Sequence, residues 1–241
     1  MAGSCDDGVR ELLERLHDRY NRPEFIDCDP IAVPHRFTER ADREIAGFLA
    51  ATIAWGNRRT IVRNGHRLIH FLDDAPADFV RNASERELAG LDGFVHRTFN
   101  GADLRDFVLA LRRMEQLYGG LGAFFETQYA ATESLPAVLA AFRREFLAAE
   151  HAPHCEKHLS DIGRGAACKR LCMFLRWMVR RDDRGVDFGL WTGIPMSALR
   201  LPLDVHVGEV GRLLGLLGRR LDDWRAGEEI TARLRASGAA G

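Results

Sequence analysis

Lysine is nearly missing from this 241-residue chain. It occurs only at Lys157 and Lys169, so 32 of the 34 basic residues are arginine. Arginine supplies charge but stays protonated and is a poor nucleophile, so amine chemistry would have to run through one of two side chains or the terminal amine. Cysteine is sparse as well. Its five residues are odd in number and show no paired spacing beyond Cys168-x3-Cys172, which excludes a disulfide framework and points to a reducing compartment. No uninterrupted apolar run approaches the roughly 18 residues that a membrane span needs. The start, Met1-Ala-Gly-Ser-Cys-Asp-Asp7, has neither the basic region nor the apolar core of a secretory signal. Low-complexity linkers and internal repeats are absent too. Together these absences predict a cytoplasmic protein with no membrane partner, folded over residues 1–241 as one compact domain.

What is present is the composition of a globular protein, 46% hydrophobic and 29% charged, with a formal net charge of −1. That near-neutrality hides an asymmetry, because residues 164–220 hold eleven basic side chains against five acidic ones. A locally basic face is compatible with phosphate binding, and equally with the solvated faces of arginine-rich helices. Apolar residues recur at three and four positions, as in Ile45, Phe48, Leu49, Thr52, Ile53 and in Leu104, Phe107, Val108, Leu111. No segment reads as a strand. Thr38, the Ser84-to-Glu87 capping box, Ser134 ahead of Pro136, and Asp204 after Pro202 mark helix starts. The prediction is an all-α fold of about ten helices, with two helical lobes around a cleft, one mixing amino-terminal helices and the other drawn from 134–220.

The segment Ile162-Gly-Arg-Gly-Ala-Ala-Cys-Lys169-Arg-Leu-Cys-Met-Phe-Leu-Arg176-Trp-Met-Val-Arg180 places two glycines, Gly163 and Gly165, ahead of a helix. Ala167, Leu171, Phe174 and Met178 form its apolar stripe. Lys169 lies off that stripe in the first turn, on a face shared with Met173, Arg176 and Arg180. Neighbouring cations and the positive end of the helix dipole favour the neutral form of an amine, which is the form that attacks carbon. The glycine turn can offer backbone N–H groups to a phosphate. A surface lysine beside capping glycines is the plainer reading.

In Leu201-Pro-Leu-Asp204-Val-His-Val-Gly-Glu-Val-Gly-Arg-Leu-Leu-Gly-Leu-Leu-Gly218, Asp204 stands at an N-cap position. The helix it opens is expected to turn Val207, Val210, Leu214 and Leu217 inward and to stop at Gly218. Capping accounts for the aspartate, and a carboxylate fixed in this way can also serve as an electrostatic or acid–base group.

A glycine turn, a helix-borne lysine and an aspartate some thirty-five residues later in a Pro-x-Asp-x-x-Val context resemble the helix-hairpin-helix DNA glycosylase superfamily. The lysine helix and the Leu-Pro-Leu-Asp-Val-His-Val block are most similar to its archaeal 8-oxoguanine glycosylase branch. From about residue 23 to 235 the chain also resembles an uncharacterised bacterial family, through Phe37 to Asn57, Phe94-Val-His-Arg-Thr-Phe99, and Lys169 to Arg180. The resemblance implies that Lys169 attacks C1′ of a damaged nucleotide and forms a Schiff base, giving glycosylase and β-lyase activity. It implies that Asp204 stabilises the developing oxocarbenium ion and helps activate the amine. Gly163, Gly165, Arg176 and Arg180 would contact DNA, and Trp55 and Asn57 would line the pocket of the flipped base. As ordinary structure, Trp55 would end one helix and Asn57 would cap the next. The partner implied is double-stranded DNA carrying a damaged base, bound by a monomer. The four-cysteine cluster of some relatives is absent, so no iron–sulfur or other cofactor is expected. Relatives would continue into one further helix where this chain reads Ala236-Ser-Gly-Ala-Ala-Gly241.

His151-x2-His154-Cys155-x2-His158 places four possible ligands at helical spacing, but Pro153 interrupts them and no second ligand cluster is evident, so a solvated loop holding no metal is expected. His96 and Arg97 carry no assignment. A non-catalytic helical DNA-binding module is the alternative to the enzyme, and an interaction protein without DNA affinity is a third reading.

Overall fold

A computed structural model of the chain describes residues 7–236 and residue 238. Residues 1–6, 237 and 239–241 lie outside the described residues, and with them most of the stretch where relatives would continue into a further helix. The chain is mostly helical. Helix α1 (Asp7–Tyr20) leads through a 3-10 turn at Pro23–Cys28 to α2 (Ala32–His35), α3 (Arg40–Thr52), α4 (Arg58–Phe71), α5 (Pro76–Asn82) and α6 (Glu85–Gly90). A two-residue hairpin of β1 (Val95–His96) and β2 (Phe99–Asn100) precedes α7 (Gly101–Tyr118), α8 (Leu121–Thr132) and α9 (Leu135–Phe146). After 3-10 turns at Pro153–His158 and Ile162–Arg164 come α10 (Lys169–Val179), α11 (Val205–Leu213) and α12 (Trp224–Ala236). Among the described residues no helix is long and apolar enough to cross a membrane, and Cys28, Cys155, Cys168 and Cys172 are free thiols.

Helix α3 is the axis of the core. It packs against α2, α4, α5, α8 and α10, and every residue from Glu44 to Thr52 is buried. Phe48 sits at its centre, with ring centroids 5.3–5.8 Å from Phe107, Phe142, Phe146 and Phe174. Such edge-to-face and offset pairs add to the energy of burial itself. A carboxylate lies inside this apolar mass. Glu44 accepts from Trp191 Nε1 at 2.8 Å, from the Gly122 N–H at 3.0 Å and from Arg40 Nε at 2.7 Å. Removing the carboxylate strands two buried donors, so Glu44→Ala is expected to destabilise the fold by about 3 kcal/mol or more. A lower urea midpoint at unchanged m-value is the check.

A second, smaller cluster is built from Leu203, Leu217 and Ala226, with Ala167 and Val207 against it. Helices α9 and α10 belong to the main core with α3. Helix α11 differs from the expected one. It ends at Leu213, followed by Gly215 at φ +70°, instead of running to Gly218. Its inward face is Val207, Gly208 and Gly211, while Val210 and Leu213 are exposed, Leu213 at 86%. The reason is close approach. A Cβ on Gly211 would lie 2.6 Å from Ile230 Cδ1 of α12, so small residues, not the valine stripe, make that contact.

Caps fall largely where the sequence places them. Ser84 and Glu87 form a capping box, Ser134 accepts from the Ala137 N–H, and Asp204 accepts from the Val207 N–H. Thr38 does not cap, since α3 begins after Glu39 without a side-chain cap. The hairpin escaped prediction because two residues per strand are too few to show alternation.

Candidate active site

Lys169 is the first residue of α10, entered from Cys168 in the left-handed region at φ +51°. Asp204 is the N-cap of α11, and its Oδ1 accepts from the Val207 N–H at 3.0 Å. That cap fixes the carboxylate so that Oδ2 lies 2.8 Å from Lys169 Nζ. The side chains are 36% and 32% exposed, so the pair is both held and reachable. It joins the two apolar clusters, since α10 packs in the main core while α11 belongs with the smaller one. Burial pushes the Asp204 carboxyl up, but hydrogen bonds from Lys169 and the Val207 N–H, with the lysine charge, outweigh it and hold it below the ordinary carboxylate value. An amine held against a fixed carboxylate, with both open to solvent, can attack an electrophilic carbon once it has lost its proton.

The cationic face expected beside Lys169 is not what surrounds it. Arg176 Nε and Arg180 Nη1 lie 3.1 Å and 3.0 Å from Oδ2 of Asp187, whose side chain is fully buried. Burial pushes that carboxyl above its ordinary value despite both guanidiniums. Arg180, 14% exposed, also reaches Asp182 at 2.7 Å and His17 at 3.2 Å. The charge excess of the 164–220 segment is likewise met in space by carboxylates from outside it. Arg184 pairs with Asp18, Arg212 with Asp222, Arg219 with Asp223, and Arg164 lies near Asp161.

The glycine turn is also closed on itself. Asp161 Oδ1 accepts from the Gly163 N–H at 2.9 Å, the Asp161 carbonyl from Arg164 and Ala166, and the Ile162 carbonyl from Gly165. The N–H groups of Gly163 and Gly165 therefore do not point at a free anion seat, because the Asp161 carboxylate takes the first and the Ile162 carbonyl the second.

Asn57 caps α4 through the Thr60 N–H at 3.3 Å and is exposed, as its plainer reading had it. Trp55 is half-buried in a group that sequence reasoning did not assemble. Its ring meets His96 edge-on at 5.0 Å, stacks with His158 at 5.9 Å, and carries the Arg170 guanidinium 5.1 Å above its face. Arg170 follows Lys169 directly in sequence and donates to the Thr52 carbonyl at 2.6 Å, so Trp55 is tied to the start of α10. His96, left unassigned from sequence, is buried and bonded through Nδ1 to Asn64 Nδ2 at 2.9 Å. Burial lowers its basicity.

The stretch from His151 to His158 is not a solvated loop. Its 3-10 turn buries Cys155 and His158, and burial pushes the Cys155 thiol up to about 12, so it is not a thiolate. Burial likewise lowers His158 to about 4. His154 Nδ1 lies 2.8 Å from Oδ1 of Asp103 on α7.

Residues 29–239 match the model of a family described as a protein of unknown function (DUF2400). The chain belongs to that family. No curated protein and no solved structure matches it.

Proposed function

We propose that this chain is a DNA repair enzyme that excises an oxidised purine, 8-oxoguanine first, and cleaves the resulting abasic site through a lysine Schiff base. The observation that carries the reading is the 2.8 Å contact between Lys169 Nζ and Asp204 Oδ2, made by the two residues that the glycosylase resemblance singles out. In the proposed reaction the Lys169 amine bonds to C1′ and the C1′–N9 bond breaks, its electron pair and a proton leaving with the base. Opening of the C1′–O4′ bond then gives the imine. Loss of a C2′ proton from that imine expels the 3′ phosphate. The ammonium proton goes to water before attack, while the Asp204 charge orients the amine and offsets the positive charge that develops on the sugar. The reading includes a helix-hairpin-helix glycosylase-like arrangement, with residues 161–180 as hairpin and following helix, and duplex DNA as partner. Trp55, packed by Arg170 and two histidines beside the start of α10, belongs to the reading as a wall of the base pocket and not as a free stacking face. Backbone anchoring at Gly163 and Gly165 is not part of it, since Asp161 occupies that turn.

Duplexes carrying 8-oxoguanine or an abasic site test the reading. Base release and scission 3′ to the lesion are expected. Salt-sensitive binding without either product would replace the enzyme by the non-catalytic DNA-binding module, and no binding at low salt would remove DNA altogether. The two arginines separate within the same assay. Arg176, half-buried and sharing Asp187, keeps an exposed edge, so Arg176→Ala is expected to lower affinity for damaged and intact duplex alike and to reduce the salt slope by about one. Arg180→Ala is expected to lower thermal stability while leaving that slope unchanged, because its guanidinium serves Asp187 and Asp182.

A further inference from the structure

We infer that Asp103, His154 and His158 form a binding site for one divalent transition-metal ion of the zinc class, distinct from the Lys169–Asp204 pair. One nitrogen from each histidine and one carboxylate oxygen lie within 4.8 Å of one another. His154 Nδ1 is 2.8 Å from Asp103 Oδ1, and His158 Nε2 is 3.3 Å from Asp103 Oδ2. Ligands on a tetrahedral ion with bonds of about 2.0–2.1 Å stand about 3.3 Å apart, so little movement would seat the ion.

Hydrogen bonding alone leaves this group incomplete. Asp103 Oδ2 already accepts the Asn100 N–H at 3.0 Å, as part of the cap of α7. The side chains of His158 and Asp103 are 3% and 2% exposed, yet His158 Nε2 has no hydrogen-bond partner and is aimed at the carboxylate. A buried imidazole nitrogen without a partner is what a metal-free ligand set looks like. Two imidazoles with one carboxylate suit zinc, cobalt or nickel and not magnesium or calcium, which take oxygen. His154 is 46% exposed, so the ion would be reached from that side and a water would complete four ligands. Its other nitrogen, Nε2, accepts from Lys157 Nζ, so the metal-free ring carries its proton on Nδ1 toward Asp103; ligation through Nδ1 displaces that proton and turns the Lys157 amine away. The ligands come from separate parts of the chain, α7 and the Pro153–His158 turn. An ion there would clamp that turn to the head of α7 and fix the ring on which Trp55 stacks.

The test uses the full chain, stripped with chelator, dialysed, and titrated with zinc against a chromophoric competitor. About one zinc per chain at submicromolar affinity is expected, with a rise in thermal midpoint that magnesium does not produce. His154→Ala should leave the metal-free circular dichroism unchanged, lower the metal-free melting point through loss of its bond to Asp103, and weaken zinc binding by at least about a hundredfold. His206→Ala, on an exposed histidine of α11 beside Glu209, should bind as the parent does. Cobalt in place of zinc should give visible bands of tetrahedral intensity, lost in His154→Ala. Binding that is absent in the parent, or unchanged in His154→Ala, overturns the site.

Discussion

Borohydride added during incubation with an 8-oxoguanine duplex is expected to join protein and DNA covalently, and Lys169→Gln is expected to leave no adduct. An imine between Lys169 and C1′ is reduced to a stable secondary amine, so the trap reads the intermediate itself. Turnover in the same variant should fall by at least about a thousandfold, as for loss of a nucleophile. The scarcity of lysine makes the assignment clean. Lys157→Gln should trap like the parent, because that side chain sits against His154, on the Pro153–His158 turn. Lys169→Arg should fail as completely as glutamine, since a guanidinium stays protonated. An adduct that survives Lys169→Gln and disappears in Lys157→Gln moves the nucleophile. No adduct from any oxidised or abasic duplex, with binding intact, leaves the fold as a binding module.

Asp204→Asn should fold, bind duplex and turn over about a hundred- to a thousandfold more slowly. Asparagine caps a helix about as well as aspartate, so the Val207 N–H keeps an acceptor. The ion pair with Lys169 is a third exposed on each side, which limits its loss to about 0–1 kcal/mol of stability. What the variant loses is charge beside the reacting carbon. The carboxyl titrates below its ordinary value, so its share of stability is present above the unfolded value and lost as pH falls through the folded one. In the parent the acid limb of activity should accordingly lie no higher than the ordinary carboxylate range. An Asp204→Asn protein that unfolds, with normal activity per folded molecule, would make the residue a cap and nothing more.

Lys169 and Asp204 were each legible because their constraints are local, and the resemblance supplied their pairing. A lysine in the first turn of one helix and an aspartate capping another are signals that sequence carries directly, and the structure brings them into contact. Helix content was legible for the same reason, through the three-and-four spacing that buries Phe48 and Phe107. Charge was not. The excess of residues 164–220 depends on where the segment is cut, since Asp161, Asp222 and Asp223 stand within three residues of its ends, and Asp18 meets it from far along the chain. The histidine cluster was half legible. His154 and His158 stood out, but Asp103 lies 51 residues before His154 in a segment that reads as an ordinary helix start. The outward valine of α11 was misread because periodicity assigns apolar residues to the inside and cannot see that Gly211 touches Ile230.

Helix α1 has no buried residue. Polar bridges reach from it and from the residue that follows: Asp18 to Arg184 at 2.6 Å, His17 to Arg180 at 3.2 Å, and Asn21 to Asp182 at 2.8 Å. Bonds of that kind weaken as ionic strength rises, while the aromatic core around α3 does not. The molecule is therefore built with two tiers of cooperativity, and α1 can detach and reseat on a timescale of its own, far short of global unfolding. Its amides should exchange with solvent well ahead of those in α3, and faster in high salt. Each departure releases the Asp18 and His17 ends of those bridges and lays open Arg176 and Arg180, which line the cleft beneath it. Ionic strength would then set how often that surface is bare, an effect on access and not on the surface itself.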